Sequence, residues 1–219
     1  MRLLIAVSFL LVLSVTCFGA PIAGVTIESV SSEYLANGWD LAATHTVDGS
    51  GLSGSPATHA VIAYPGGNSW QTITQSGTGH IWFDLGDVYT LDHLHVWNLN
   101  FYAPYNRRGA KDVDIRTSLD ASNWYVETYT TFPMATGADG DPGFDIDATG
   151  WNAARYVAFY IGSNHGGEDN AGHVGLSEVQ FFEVTAPPNG GDVPEPATGA
   201  LAAAGLAFVF AVRRLRRRS

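Results

Sequence analysis

The side chains that could take part in catalysis are few and lie on two short segments. His93 and His95 flank Leu94, so both imidazoles would lie on one face of a strand. Asp145 and Asp147 have the same spacing, which puts their carboxylates about 7 Å apart, a distance loosely compatible with paired carboxylate chemistry. The chain has no Gly-x-Ser-x-Gly segment, no Walker loop and no thiol after Cys17. We therefore predict that these histidines have a core or surface role and that the protein is not an enzyme.

The body that must position any site has the pattern of short strands. Between residues 20 and 184, Gly, Pro, Asn and Asp interrupt alternating runs about every ten residues. In residues 112–118, Val113, Ile115 and Thr117 share one face and polar side chains share the other. Further strands are predicted at residues 80–85, 91–99, 155–161 and 176–184. At about 165 residues, this body favours an all-β jelly-roll sandwich over a smaller immunoglobulin-like domain.

Seven short motifs, in order along this body, together carry a family resemblance. They are residues 46–52, 81–86, 96–100, 108–113, 118–124, 154–157 and 175–181. The segment that contains them resembles the discoidin, or coagulation-factor type C, family of galactose-binding-like jelly rolls. The resemblance implies a non-catalytic β-sandwich that binds sugars through loops at one end and often holds a structural calcium ion.

A calcium site is expected near Asp48, which lies in a Gly-rich loop where backbone carbonyls can converge on a hard cation. The resemblance implies that the side-chain ligands are Asp48 and a glutamate that begins the last strand, here Glu178. Ser50 is a weaker candidate, at a position where the family usually has a hydroxyl ligand. The alternative is a capped turn and a strand-end carboxylate without a metal.

A sugar site needs an aromatic face for the ring and planar polar side chains for the hydroxyl groups. Residues 100–108 and 163–170 form two loops that carry such side chains, and a tryptophan follows the Gly-rich segment 65–69. The predicted carbohydrate-binding residues are Tyr102, Arg107, Arg108, Trp70, Asn164 and His165. Since Arg108 begins a recurring Arg-Gly motif of the family, it is expected to be partly architectural, and Arg107 is the freer arginine. For each residue the alternative is ordinary surface or core packing.

The N-terminus has the layout of a secretory signal peptide. Arg2 precedes the apolar run 3–15, and small residues follow to Ala20, so residues 1–20 are predicted to be removed. Cleavage there would remove Cys17, the only cysteine. Lipidation of Cys17 is the weaker alternative.

The C-terminus combines a linker, at residues 186–192, with a segment typical of protein sorting. Val193, Pro194, Glu195 and Pro196 precede the apolar run 197–212 and an arginine cluster. Residues 193–219 resemble the PEP-CTERM sorting signal, which an exosortase removes in the Gram-negative bacteria that carry it. A plain anchor that keeps the apolar run in the membrane as a helix is the alternative.

The charge of the body excludes one class of partner. Residues 21–194 hold five basic and twenty acidic residues, a formal charge of −15, which repels nucleic acid and anionic lipid. We therefore expect a body, residues 21–185, that is exported to the cell envelope, outer surface or extracellular matrix and binds a glycan or exopolysaccharide. The alternatives are a structural matrix or adhesion protein without a working sugar site and, third, a carbohydrate-active hydrolase.

Overall fold

The computed structural model describes residues 19–166 and 172–185. The predicted linker at 186–192 and sorting signal at 193–219 lie outside the described residues, as do residues 1–18 of the predicted leader and residues 167–170 of the second predicted loop. In the described part, no helix is long and apolar enough to cross a membrane.

The described body is an antiparallel β-sandwich, which confirms the predicted jelly-roll fold class. Its strands are β1 (Thr26–Val30), β2 (Leu52–Ser53), β3 (Thr58–His59), β4 (Trp70–Gln71), β5 (Gly79–Tyr89), β6 (Leu91–Asn98), β7 (Asp112–Ser118), β8 (Tyr125–Thr131), β9 (Phe144–Asp147), β10 (Ala154–Ile161) and β11 (Gly175–Glu183). One sheet has five strands in the order β1-β5-β10-β7-β8, and the other has four in the order β4-β11-β6-β9. The strands β2 and β3 form a separate hairpin.

Alternating apolar residues from the two sheets fill the space between them. In β6, Leu94 and Val96 are buried in the core, opposite Phe181 and Val179 of β11. The ring of Phe83 in β5 packs edge to face against Phe181, with 5.2 Å between the ring centroids. Because the period of a strand is two residues, the neighbours of these side chains must lie on the outer faces of the sandwich.

Polar contacts also join neighbouring strands of the larger sheet. Arg155 donates two hydrogen bonds to the Asp84 carboxylate, from Nε at 2.9 Å and Nη2 at 2.8 Å. The hydrogen bonds from Arg155 hold the pKa of Asp84 below its usual range, despite partial burial. Asp84 also accepts a hydrogen bond from the backbone of Gly86 at 2.8 Å. This ion pair thus joins β10 to β5, two neighbouring inner strands of the larger sheet.

Two 3-10 helices, Ala43–Thr46 and Tyr105–Arg108, lie in the connecting segments. The first residue of the second helix, Tyr105, packs against a small apolar cluster formed by Leu41, Ile62, Leu99 and Phe101. This cluster is separate from the main core and supports the loops at one end of the sandwich.

Candidate ligand-binding cavity and cation site

A cavity of about 260 Å³ opens among the loops at the end of the sandwich that the small apolar cluster supports. It is lined by aromatic residues from several segments: Tyr34, Trp39, Phe101, Tyr102 and Tyr105. Leu41 completes the apolar part, and Gln71, Arg108 and His173 supply polar groups. We call this the end cavity. The predicted loop 100–108 therefore forms part of a concave aromatic surface.

The aromatic rings of the end cavity hold one another in edge-to-face contact. The ring of Phe101 lies 4.8 Å from that of Tyr102, and the rings of Tyr102 and Tyr105 are 5.3 Å apart and nearly perpendicular. Phe101 is buried, whereas Tyr102 is 48% exposed. Such pairs are favourable because the positive edge of one ring meets the negative face of the other. The arrangement keeps Tyr102 open to solvent while its neighbours fix its position.

Arg108 provides the positive charge of the end cavity. Its guanidinium carbon lies 4.6 Å from the centroid of the Tyr105 ring, and its Nη1 donates to Gln71 Oε1 at 3.4 Å. The buried Nε has no hydrogen-bond partner among the described residues. Burial lowers the pKa of Arg108, yet a guanidinium stays charged at neutral pH. Within residues 19–166 and 172–185, no acidic side chain lines the end cavity, so this half-buried cation retains hydrogen-bonding capacity for a ligand.

His173, in the segment just before β11, offers a hydrogen-bond acceptor to the end cavity. Its Nδ1 lies 2.7 Å from the carbonyl oxygen of Thr72 and therefore donates to it, which leaves Nε2 as the acceptor. Burial lowers the pKa of His173, and this keeps the ring neutral. The ring packs edge to face against Tyr34 at 5.5 Å.

The residues predicted from the sequence occupy different environments. Tyr102 and Arg108 line the end cavity, whereas Arg107 is exposed and does not line it. Asn164 donates from Nδ2 to the carbonyl oxygen of His173 at 2.8 Å, so it supports the cavity wall from behind. His165 is half-buried and lies outside the lining, with burial lowering its pKa.

The prediction of Trp70 as a carbohydrate-binding residue is wrong. Trp70 is fully buried in the main core, and its indole N–H donates to the carbonyl oxygen of Ser32 at 2.9 Å. The reason lies in the short strand β4, which pairs with β11 and turns Trp70 inward, leaving the neighbouring Gln71 beside Arg108.

Five residues of the end cavity lie outside the loops predicted from the sequence: Tyr34, Trp39, Leu41, Gln71 and His173. They come from three separate segments and lack a shared local pattern. Their only sequence signal is residue type, since aromatic and planar polar side chains in Gly-rich connections suit a binding surface.

The two predicted acidic cation ligands lie together despite their separation in sequence. The backbone N–H of Gly49 donates to both carboxylate oxygens of Glu178, at 3.2 and 3.3 Å. Gly49 has a φ of +76°, a left-handed conformation that glycine adopts without strain. Ser50 donates from its backbone N–H to Asp48 Oδ1 at 2.8 Å. The loop thus brings Asp48, Ser50 and Glu178 to one place.

The chemistry of this group of oxygens fits a hard cation. Glu178 is buried, and desolvation raises its pKa to about 8, opposed by the Gly49 hydrogen bond and reinforced by the charge of Asp48. A bound Ca²⁺ would neutralise both carboxylates and remove that penalty. Among the described residues, no cluster of three or more His, Cys, Asp or Glu could hold a metal. Backbone carbonyls and the Ser50 hydroxyl would therefore have to complete the coordination.

Comparison with known proteins gives one sequence match and many structural matches. Residues 192–218 match the family model described as the PEP-CTERM protein-sorting motif, which confirms the predicted sorting signal. No curated protein matches the chain by sequence.

The structural matches cover the sandwich. CBM32-1 from a family 31 glycoside hydrolase of Clostridium perfringens gives a TM-score of 0.52 at 13% identity, covering 74% of this chain and 96% of the other. CBM32-3, also from a family 31 glycoside hydrolase of that organism, gives 0.52 at 16% identity, covering 76% and 96%. CpGH89CBM32-5 of Clostridium perfringens, in complex with GalNAc-β-1,3-galactose, gives 0.51 at 15% identity, covering 74% and 97%. The chain thus has a galactose-binding-like β-sandwich, with the fold of these family 32 modules, and a PEP-CTERM sorting motif at its C-terminus.

Proposed function

We propose that the protein is an exported module that binds carbohydrate in the end cavity without chemically changing it. One observation carries the proposal: the end cavity brings together the exposed ring of Tyr102 and the guanidinium of Arg108, whose Nε–H has no described hydrogen-bond partner. Neutral polar groups lie beside them. Aromatic rings contact the apolar face of a sugar, and planar polar side chains bond to its hydroxyl groups. Because the end cavity is smaller than the roughly 300 Å³ at which drug-sized pockets begin, it suits a chain end or side branch.

The lining of the end cavity supports binding over hydrolysis. Glycoside hydrolases commonly use two carboxylates on either side of the scissile bond, and none of the carboxylates that the structure describes lines this cavity. The concave aromatic surface also favours a working sugar site over a purely structural matrix or adhesion protein. The module with the same fold that carries GalNAc-β-1,3-galactose makes galactose-containing glycans the first ligands to test.

The termini support a surface location. A secretory leader would export the chain, and the PEP-CTERM motif makes an exosortase its processing enzyme. We place the mature module at the cell envelope, outer surface or extracellular matrix of a Gram-negative bacterium, where exopolysaccharide is its expected partner. The C-terminal apolar run would hold the chain in the membrane until processing.

We further propose that Ca²⁺ binds at Asp48, Ser50 and Glu178 and stabilises the loop. The support is the buried position of Glu178 beside Asp48, an arrangement that a cation relieves. The ion would have a structural role, because these residues do not line the end cavity.

A glycan array tests the proposed function. On the array, the full-length chain, purified in a non-glycosidic detergent, is expected to bind a restricted set of glycans. Each bound glycan is then incubated with the chain in solution, and mass spectrometry is expected to find it unchanged. A chain that binds no glycan on the array would contradict carbohydrate binding, and shortened glycans after incubation would favour the hydrolase alternative.

A further inference from the structure

A second groove lies on the outer face of the four-stranded sheet, away from the end cavity. Its volume is about 350 Å³, and none of its described lining residues also lines the end cavity. The side chains that matter here come from three neighbouring strands: His93, His95, Trp97, Asp145, Gln180 and Phe182. We call this the sheet groove.

The pairing of β6 with β9 brings together the histidine and aspartate pairs that the sequence singles out. His95 is the cross-strand partner of Asp145, and His93 is that of Asp147. Leu94 and Val96 point into the core, so the histidines between them must face outward. On the other side of β6, Gln180 of β11 pairs with His95. The sheet groove therefore follows from strand register.

His95 forms a rigid wall of the sheet groove. Its Nδ1 lies 2.5 Å from Asp145 Oδ1, and its Nε2 lies 2.9 Å from the carbonyl oxygen of Pro142. A Cβ at Gly143 would come within 2.6 Å of the His95 Nε2, so only glycine lets the loop approach the ring this closely. Both ring nitrogens are thus occupied, which fits a positioning role for His95.

Other polar groups of the sheet groove lack partners. The indole N–H of Trp97 is buried and has no hydrogen-bond partner in the part of the chain that the structure describes. Gln180 and Asp145 both line the groove. Among the described residues, the side-chain amide of Gln180 and the second carboxylate oxygen of Asp145 also have no hydrogen-bond partner. The amide of Gln180 and the second oxygen of Asp145 are therefore available to a ligand in the groove.

The sheet groove also has an apolar wall. The rings of His93 and Phe182 stack face to face, with 4.3 Å between centroids and an interplanar angle of 8°. An apolar wall beside a free amide and a free carboxylate oxygen is a combination that suits a pyranose ring. The body's formal charge of −15, to which the exposed Asp145 contributes, disfavours anionic sugars.

We propose that the sheet groove is a second carbohydrate site, selective for neutral sugars, in which Gln180 and Asp145 bond to hydroxyl groups and the Trp97 side chain lies beside the bound sugar. Together with the end cavity it would let one module hold two glycan chains, which increases overall binding through effective concentration. This bridging role rests on the proposed function of the end cavity, whereas binding in the sheet groove does not.

The test follows the Trp97 indole N–H by nuclear magnetic resonance, with the signal assigned by comparison with Trp97→Phe. The full-length chain, in a non-glycosidic detergent, is titrated with galactose, glucose, mannose, N-acetylglucosamine and galacturonic acid. We expect at least one neutral sugar to shift the signal and galacturonic acid to leave it in place.

Three variants separate the two sites. Gln180→Ala and Asp145→Asn should each weaken the Trp97 response at least about threefold, the effect of losing one hydrogen bond. Arg108→Ala, which alters the end cavity, should leave it unchanged. A Trp97 signal that no neutral sugar moves, or a response that Arg108→Ala abolishes or that both groove variants retain, would overturn the proposal. Loss of all binding at the end cavity with an intact Trp97 response would instead reject only the proposed function.

Discussion

The variant Glu178→Gln tests the cation site by removing a buried charge while keeping its shape. Burial raises the pKa of Glu178 from its ordinary value of 4.5 to about 8. Without a cation, the unfolded chain ionises this group above pH 4.5, whereas the folded chain keeps it protonated until about pH 8. The wild-type protein therefore loses stability as the pH rises through this window and loses no more above it.

The size of this effect follows from the pKa difference. Each pKa unit corresponds to about 1.4 kcal/mol, so the penalty approaches roughly 5 kcal/mol at pH 8 and is about 3 kcal/mol at pH 7. Glutamine carries no such penalty. In a chelator, Glu178→Gln should therefore be more stable than the wild type by a margin that grows from pH 5 to pH 8.

Thermal unfolding in a chelator and in millimolar Ca²⁺ measures the effect. Calcium should raise the melting temperature of the wild type at pH 8, because it binds only the folded state, and should leave Glu178→Gln unchanged. The matched control is Glu183→Gln, which changes an exposed residue of the same strand and should follow the wild type. A difference between Glu178→Gln and wild type that does not vary with pH, or a wild type that ignores calcium, would refute the reasoning.

Two other predictions concern packing and processing. Trp70→Ala should lower the free energy of unfolding by about 3–5 kcal/mol in chemical denaturation, because it empties a fully buried site; a loss below 1 kcal/mol would contradict the assigned burial. In a host that contains an exosortase, intact mass should show a mature protein without the arginine cluster at 213–218, whereas a retained tail would indicate a permanent anchor.

The elements with clear alternation could be predicted from the sequence. Strand β7 has the predicted bounds, and Val113, Ile115 and Thr117 are buried as expected. Strand β9 is not among the predicted strands, because residues 139–147 are rich in Asp and Gly, a composition typical of solvated loops. Its pairing with β6 depends on long-range register, which one sequence does not contain.

The candidate sites could be predicted only in part. Tyr102, Arg108, Asp48 and Glu178 could be singled out because residue type and local motifs mark them. The face on which a residue lies is different, because Trp70 follows a Gly-rich segment that does not determine whether its side chain turns inward. The end cavity draws residues from distant segments, and no local pattern connects Gln71 with His173.

The most direct test of carbohydrate binding in the end cavity is calorimetric titration of three variants with the best glycan from the array. Arg108→Ala should lower the affinity by about tenfold or more, from the loss of charge-assisted hydrogen bonds, and Tyr102→Ala should lower it through lost stacking. Arg107→Ala, which changes an exposed neighbour outside the cavity, should bind like the wild type. Wild-type affinity in both Arg108→Ala and Tyr102→Ala, or a loss in Arg107→Ala alone, would contradict the assignment of this site.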